Sequence, residues 1–189
     1  MKTLSVALIM LAPAGIASAQ ILGTVTITAN GGSHTTVAPG TPVSIGVHVA
    51  YTPSAIQLAG LQGAVRVDGD AGVGSNFVFH LGAGPLINTG SFQGGSRVGM
   101  DVASGPPQFF GLNPLWSQNP VNMLRYDLTL DEPGEYTVIW ELPASGAGIR
   151  LYFSQIIIPP QGTTALESAT ITVTPAPGTL AAVGLAALR

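Results

Sequence analysis

The side chains best suited to chemistry crowd into one Gly/Pro-rich stretch. Phe109, Phe110 and Trp116 lie there beside Gln108, Asn113, Gln118 and Asn119. Flat aromatic faces stack on the C–H faces of sugar rings, while neutral amides exchange hydrogen bonds with hydroxyls. The same rings can instead fold inward and cap a core, because large aromatics are more often buried than displayed. Spacing leaves both arrangements open: the first requires exposed rings, the second buried ones. Asp68-Gly69-Asp70-Ala71-Gly72 offers a D-x-D-x-G series of oxygens of the kind that begins a Ca²⁺ loop. The twelfth position from Asp68 is Phe79, where such a loop needs a bidentate carboxylate, so Asp and Gly here read as a turn.

Other reactive constellations are missing from the sequence. The three histidines, His34, His48 and His80, show no ligand spacing, and no metal site is expected from them. No G-x-S-x-G occurs, and there is no cysteine to act as a thiol nucleophile. Glu135 and Glu141 share one face of one segment, and the remaining acids are scattered, so no glycosidase pair can be nominated. Leu142-Pro143-Ala144-Ser145-Gly146 imitates a sortase box with Ser for Thr, but no anchor and basic tail follow it, so it reads as a hairpin turn. No catalytic residue and no cofactor are expected, and the chain reads as a non-enzyme.

The elements that must position the loop are strands. Period-two alternation recurs through the middle: Val43, Ile45, Val47 and Val49 against Ser44, Gly46, His48 and Ala50, and Tyr136, Val138, Trp140 and Leu142 against Glu135, Thr137 and Glu141. Similar runs near residues 24–28, 61–67, 76–80, 98–102, 124–130, 149–154 and 169–173 bring the total to about nine strands. Gly/Pro turns such as Ala38-Pro39-Gly40 and Glu132-Pro133-Gly134 separate them, and no 3.6-residue period persists between residues 20 and 174. The expected fold is all-β, an antiparallel two-sheet sandwich of jelly-roll, Ig-like or cohesin-like type. Segments 81–96 and 103–120 read as long irregular loops.

Composition narrows the partners. Charged residues make up 8% of the chain, against about 25% in an average domain. Between Gln20 and Gly178, Arg66, Arg97, Arg125 and Arg150 face nine acids, leaving a net charge of −5. Without a basic patch, nucleic acid and anionic membrane surfaces are not expected partners. Without cysteines, stability must come from apolar burial and sheet hydrogen bonds.

The two ends read as addresses. Lys2, an apolar run from Leu4 to Ala12, and Ala17-Ser18-Ala19 form the three-part layout of a secretory signal peptide over residues 1–19, with cleavage before Gln20. The run is too short to span a bilayer, which takes about 20 residues. The domain proper is then 20–174, and 175–189 forms a tail. That tail, Pro175-Ala176-Pro177-Gly178, then a ten-residue apolar stretch and Arg189, resembles a truncated or degenerate PEP-CTERM sorting signal. Ala176 stands where that family has glutamate, and one arginine stands for a basic cluster. The resemblance implies delivery to the cell surface or extracellular matrix of a Gram-negative-type bacterium. Membrane contact is expected only transiently, through the signal helix and a short C-terminal apolar helix.

A second resemblance lies in the domain. Val37-Ala38-Pro39-Gly40-Thr41-Pro42-Val43-Ser44-Ile45-Gly46-Val47 is similar to the lead into the second strand of cohesin-like bacterial surface sandwiches. Leu124–Leu130 followed by Pro133–Val138 looks like their final hairpin. Cohesins bind dockerin modules and their structural cousins bind carbohydrate. The resemblance therefore implies another surface protein, or extracellular polysaccharide, as partner, and carries over no binding residue; the sugar-binding candidates, Gln108, Phe109, Phe110, Asn113 and Trp116, come from the aromatic loop alone.

Overall fold

A computed structural model describes residues 21–81, 86–103, 114–144, 148–153, 155–158 and 163–175. The signal segment with Ala17 and Ala19, the loop residues Gln108, Phe109, Phe110 and Asn113, and the tail residues Pro177 and Arg189 lie outside them. Two sheets pack face to face. The first, sheet A, has the order β13-β1-β3-β9-β5, from β1 (Gly23–Ala29), β3 (Val43–Tyr51), β5 (Val73–Phe79), β9 (Val121–Thr129) and β13 (Thr164–Glu167). Sheet B runs β12-β11-β4-β10-β14-β2, from β2 (His34–Val37), β4 (Gln57–Val67), β10 (Gly134–Glu141), β11 (Ile149–Tyr152), β12 (Ile156–Ile157) and β14 (Ala169–Val173). β8 (Ser96–Ala103) joins it on β4 and carries β6 (Leu86–Asn88) and β7 (Ser91–Gln93).

Alternation explains the packing. Val25, Ile27, Val43, Ile45, Val47, Tyr126 and Leu128 from sheet A meet Leu61, Val65, Val138, Trp140, Ile149 and Ile171 from sheet B, all essentially without solvent exposure. Their strand neighbours face outward, as a two-layer sandwich requires.

Three expectations need correction. The described residues contain fourteen strands rather than nine. The additional five, β2, β6, β7, β12 and β13, are two to four residues long, too short to show a period. β6 and β7 fall inside the segment 81–96 that reads as a loop. The sheets are also not wholly antiparallel: β1 pairs with β13, and β2 with β14, in parallel. The cause is topological, since β1–β2 and β13–β14 are two segments that each cross from sheet A to sheet B and run side by side. Ser33 O accepts from Thr170 N at 2.9 Å where the crossings meet, and Val37 O from Thr174 N at 3.0 Å where they end.

The third correction concerns Leu142–Gly146. Leu61 pairs with both Val102 and Ile149, and Val65 with both Arg97 and Trp140. β8 therefore holds one edge of β4, while β10 and β11 follow one another along the other. The strands that flank this segment both pair with β4 and, among the described residues, not with each other, so they do not form the expected hairpin; Ser145 and Gly146 themselves lie outside the described residues. On the opposite side of the sandwich, Arg97 closes the gap between β5 and β7, its guanidinium 4.0 Å from the Phe77 ring centroid and 4.6 Å from that of Phe92.

Candidate functional site

The outer row of β4 reads Gly60, Gln62, Ala64, Arg66, and its small members leave a trough. A groove of about 440 Å³ lies there, with Gln62 and Ala64 in its floor. Glu141, Leu142 and Pro143 line one side, and Asn88, Val98, Gly99 and Asp101 the other. Each wall has a structural cause. Gly63, at φ 152°, is the irregular position where the register of β4 on β8 shifts between Gly63 and Val65. A Cβ there would lie 2.4 Å from the Glu141 carbonyl oxygen and 2.7 Å from the Trp140 ring, so glycine lets β10 approach. Leu142 and Pro143, directly after β10, complete that side of the trough.

Ion pairs mark the two ends. Arg66 Nε donates to Glu141 Oε2 at 2.6 Å, and its Nη1 to Asp70 Oδ1 at 3.3 Å. Arg150 Nη2 crosses above Gly60 to Asp101 Oδ1 at 3.0 Å. The hydrogen bond to Glu141, with Asp70 adding to it, holds the Arg66 guanidinium above its ordinary pKa. These pairs are partly solvated and contribute about 0–1 kcal/mol each to folding. Their consequence is pattern: a trough with neutral floor and fixed charges of both signs at its ends.

The sequence-nominated residues that are described fall elsewhere. Trp116 has no exposed surface and lies in the core, its carbonyl accepting from Leu58 N at 3.1 Å. This overturns its nomination as a sugar platform: a ring with no solvent face cannot stack on a ligand. Asn119 is likewise structural, donating from Nδ2 to Tyr51 O at 2.7 Å and accepting from Tyr51 N at 3.2 Å. Pro175 is exposed just beyond the last strand. Asp68 and Asp70 form a 3₁₀ turn and point to different partners, Oδ2 of Asp68 to Thr137 N at 2.7 Å and Oδ1 of Asp70 to Ser96 Oγ at 2.6 Å. Among the described residues no group of three or more His, Cys, Asp or Glu side chains converges to hold a metal.

Sequence reasoning missed the groove itself. The available signal was that Arg66 and Arg150, half of the arginines between the two ends, sit at outward positions of alternating strands. Their cross-strand carboxylates are distant in sequence and became neighbours only through the pairing of β4 with β8, β10 and β11.

No protein-family model matches the chain, and no curated protein matches it. The likeness to solved structures defines a class: a cohesin-like β-sandwich. The seventh ScaB type I cohesin from Pseudobacteroides cellulosolvens superposes with a TM-score of 0.57 at 14% identity, over 82% of this chain and 95% of that one. A cohesin module from a Clostridium perfringens family 33 glycoside hydrolase gives 0.53 at 8% identity, over 83% and 100%. CaCohA2 from Clostridium acetobutylicum gives 0.51 at 12% identity, over 81% and 92%.

Proposed function

We propose that this chain is an exported, non-enzymatic module that docks another surface protein, a dockerin-type partner being the class that the cohesin resemblance implies. Residues 1–19 deliver it, and the tail from Pro175 to Arg189 directs it to the cell surface or extracellular matrix. The observation that carries the docking reading is the groove across β4, β8 and β10, open on the outer sheet face and bounded by Arg66–Glu141 and Arg150–Asp101. Charges fixed at the ends of a neutral trough select register and orientation in a partner more than they add raw affinity. The cohesin-like sandwich supports the same reading by architecture. The polysaccharide reading loses its central residue with the burial of Trp116.

Calorimetric titration of the mature protein with a panel of purified dockerin modules tests this. Binding that weakens with added salt and is lost in Arg66→Glu is expected. A panel with no binder contradicts the dockerin assignment. For the address, intact-mass measurement of the protein recovered from its own cells should show an N-terminus at Gln20 and loss of Arg189. A retained Arg189 contradicts tail processing.

A further inference from the structure

The outer face of sheet A holds a second, chemically different hollow. It measures about 230 Å³ and is lined by Thr28, Ser44, His48, His80, Asn122 and Arg125, with backbone from Gly31 and Gly46. Every one of those side chains carries a hydrogen-bond donor or a ring nitrogen that becomes one on protonation, and none is a carboxylate. In a domain whose acids outnumber its arginines nine to four, that selection is the reverse of the average surface.

Backbone irregularity creates the arrangement. On β9 the register against β3 shifts, Val47 pairing with Leu124 but His48 with Asn122. Met123 and Leu124 are consequently both buried in succession, and Asn122 and Arg125 both emerge on the outer face at a spacing of three. The pairing of β9 with β5 is irregular between Ser75 and Val78, and β5 ends at Phe79, leaving His80 beside Met123 through its N–H bond to Met123 O at 3.0 Å. Gly46 supplies the depression: a Cβ there would lie 2.7 Å from Thr28 Oγ1 and 3.0 Å from His48 Nε2. His48 leans across this gap to within 3.4 Å of Thr28 Oγ1.

From this geometry we infer a binding site for a small oxyanion group (sulfate, phosphate or carboxylate), held by Arg125 with His48, His80 and Asn122 over Gly46. Arg125 is exposed and forms no ion pair among the described residues, so its planar fork is free to take two oxygens. The carboxylates on the same face are engaged: Asp127 accepts from Asn76 Nδ2 at 2.8 Å, and Glu167 from Thr26 Oγ1 at 2.8 Å. A divalent metal is disfavoured by Arg125 in the same lining. Burial, with the neighbouring His80 adding to it, lowers the pKa of His48, so the unliganded pocket keeps that ring neutral at pH 7. A bound anion reverses this preference, and affinity rises as pH falls through the histidine range.

Proton NMR of the histidine rings in the full-length protein is the test, titrating sodium sulfate, phosphate and acetate against sodium chloride at fixed ionic strength. Saturable shifts of both His48 and His80 with at least one of the three oxyanions are expected, and the strongest of them identifies the ligand class. Arg125→Gln should weaken that binding about tenfold. Gly46→Ser, which fills the hollow without removing charge, should abolish it, amide dispersion reporting whether the variant remains folded. Linear shifts equal to those in chloride overturn the inference. Unchanged affinity in Arg125→Gln, or saturation by Zn²⁺ alone, also overturns it.

Discussion

Across the outer face of sheet B, Arg66 meets a carboxylate from the neighbouring strand β10 at 2.6 Å, and Arg150 meets one from β8, across β4, at 3.0 Å. On the outer face of sheet A, Arg125 meets none among the described residues and stands with two histidines over a glycine floor. Both faces are the outer sides of alternating strands that share one core, and both hollows exist because a small residue replaces a side chain beside a register shift. What differs is whether charge is satisfied within the face or left for a ligand. A trough with paired ends fits a surface whose own charges hold still while a large partner settles. A hollow of donors without a carboxylate, its arginine unpaired among the described residues, fits a small anion.

The comparison can be broken at the backbone first. Gly63→Ala should destabilise the fold by about 3 kcal/mol, because the added Cβ meets the Glu141 carbonyl oxygen and the Trp140 ring. Gly99→Ala borders the same groove with nothing within 4 Å of its Cβ, so its cost is that of its φ of 72° alone, about 1 kcal/mol. Urea denaturation of the two variants measures the difference, and equal costs would show that Gly63 does not set the approach of β10.

Charge comes next. Arg66→Ala should alter folding stability by no more than about 1 kcal/mol, its partners Glu141 and Asp70 being partly solvated. A larger loss in the same denaturation series would make the pair a structural clasp instead of a docking feature.

Titration gives the finest distinctions. His48 has a lowered pKa in the folded state, so the unfolded chain binds its proton more readily. Its contribution is present above pH 6.5 and is lost as pH falls through the histidine range, and His48→Gln should flatten that part of the stability profile. Tyr126 moves the other way: burial raises its pKa, with Arg97 partly opposing. Its contribution is intact below pH 10 and declines above it, so ultraviolet titration should show Tyr126 ionising only as the protein unfolds.

The inner faces were readable in the sequence because Val43–Val49 and Tyr136–Leu142 alternate over seven residues each. β2, β6, β7, β12 and β13 were not, since two to four residues give no period and their pairing is set by neighbours remote in sequence. Leu142–Gly146 shows the same limit: Pro and Gly announce a turn but not whether the flanking strands pair together or with a third. Trp116 illustrates it for the site, because an amide- and glycine-rich loop suits a sugar platform and a core plug equally, and only the long-range packing decides. The groove was invisible for a related reason, as Arg66 and Glu141 lie 75 positions apart.

The docking face is the central claim, and hydrogen–deuterium exchange of the mature protein with and without a bound dockerin module tests it most directly. Protection concentrated on β4, β8, β10 and Leu142–Pro143, with β3 and β9 unchanged, is the predicted result. Protection on β3 and β9 with no change across β4 and β10 would contradict it.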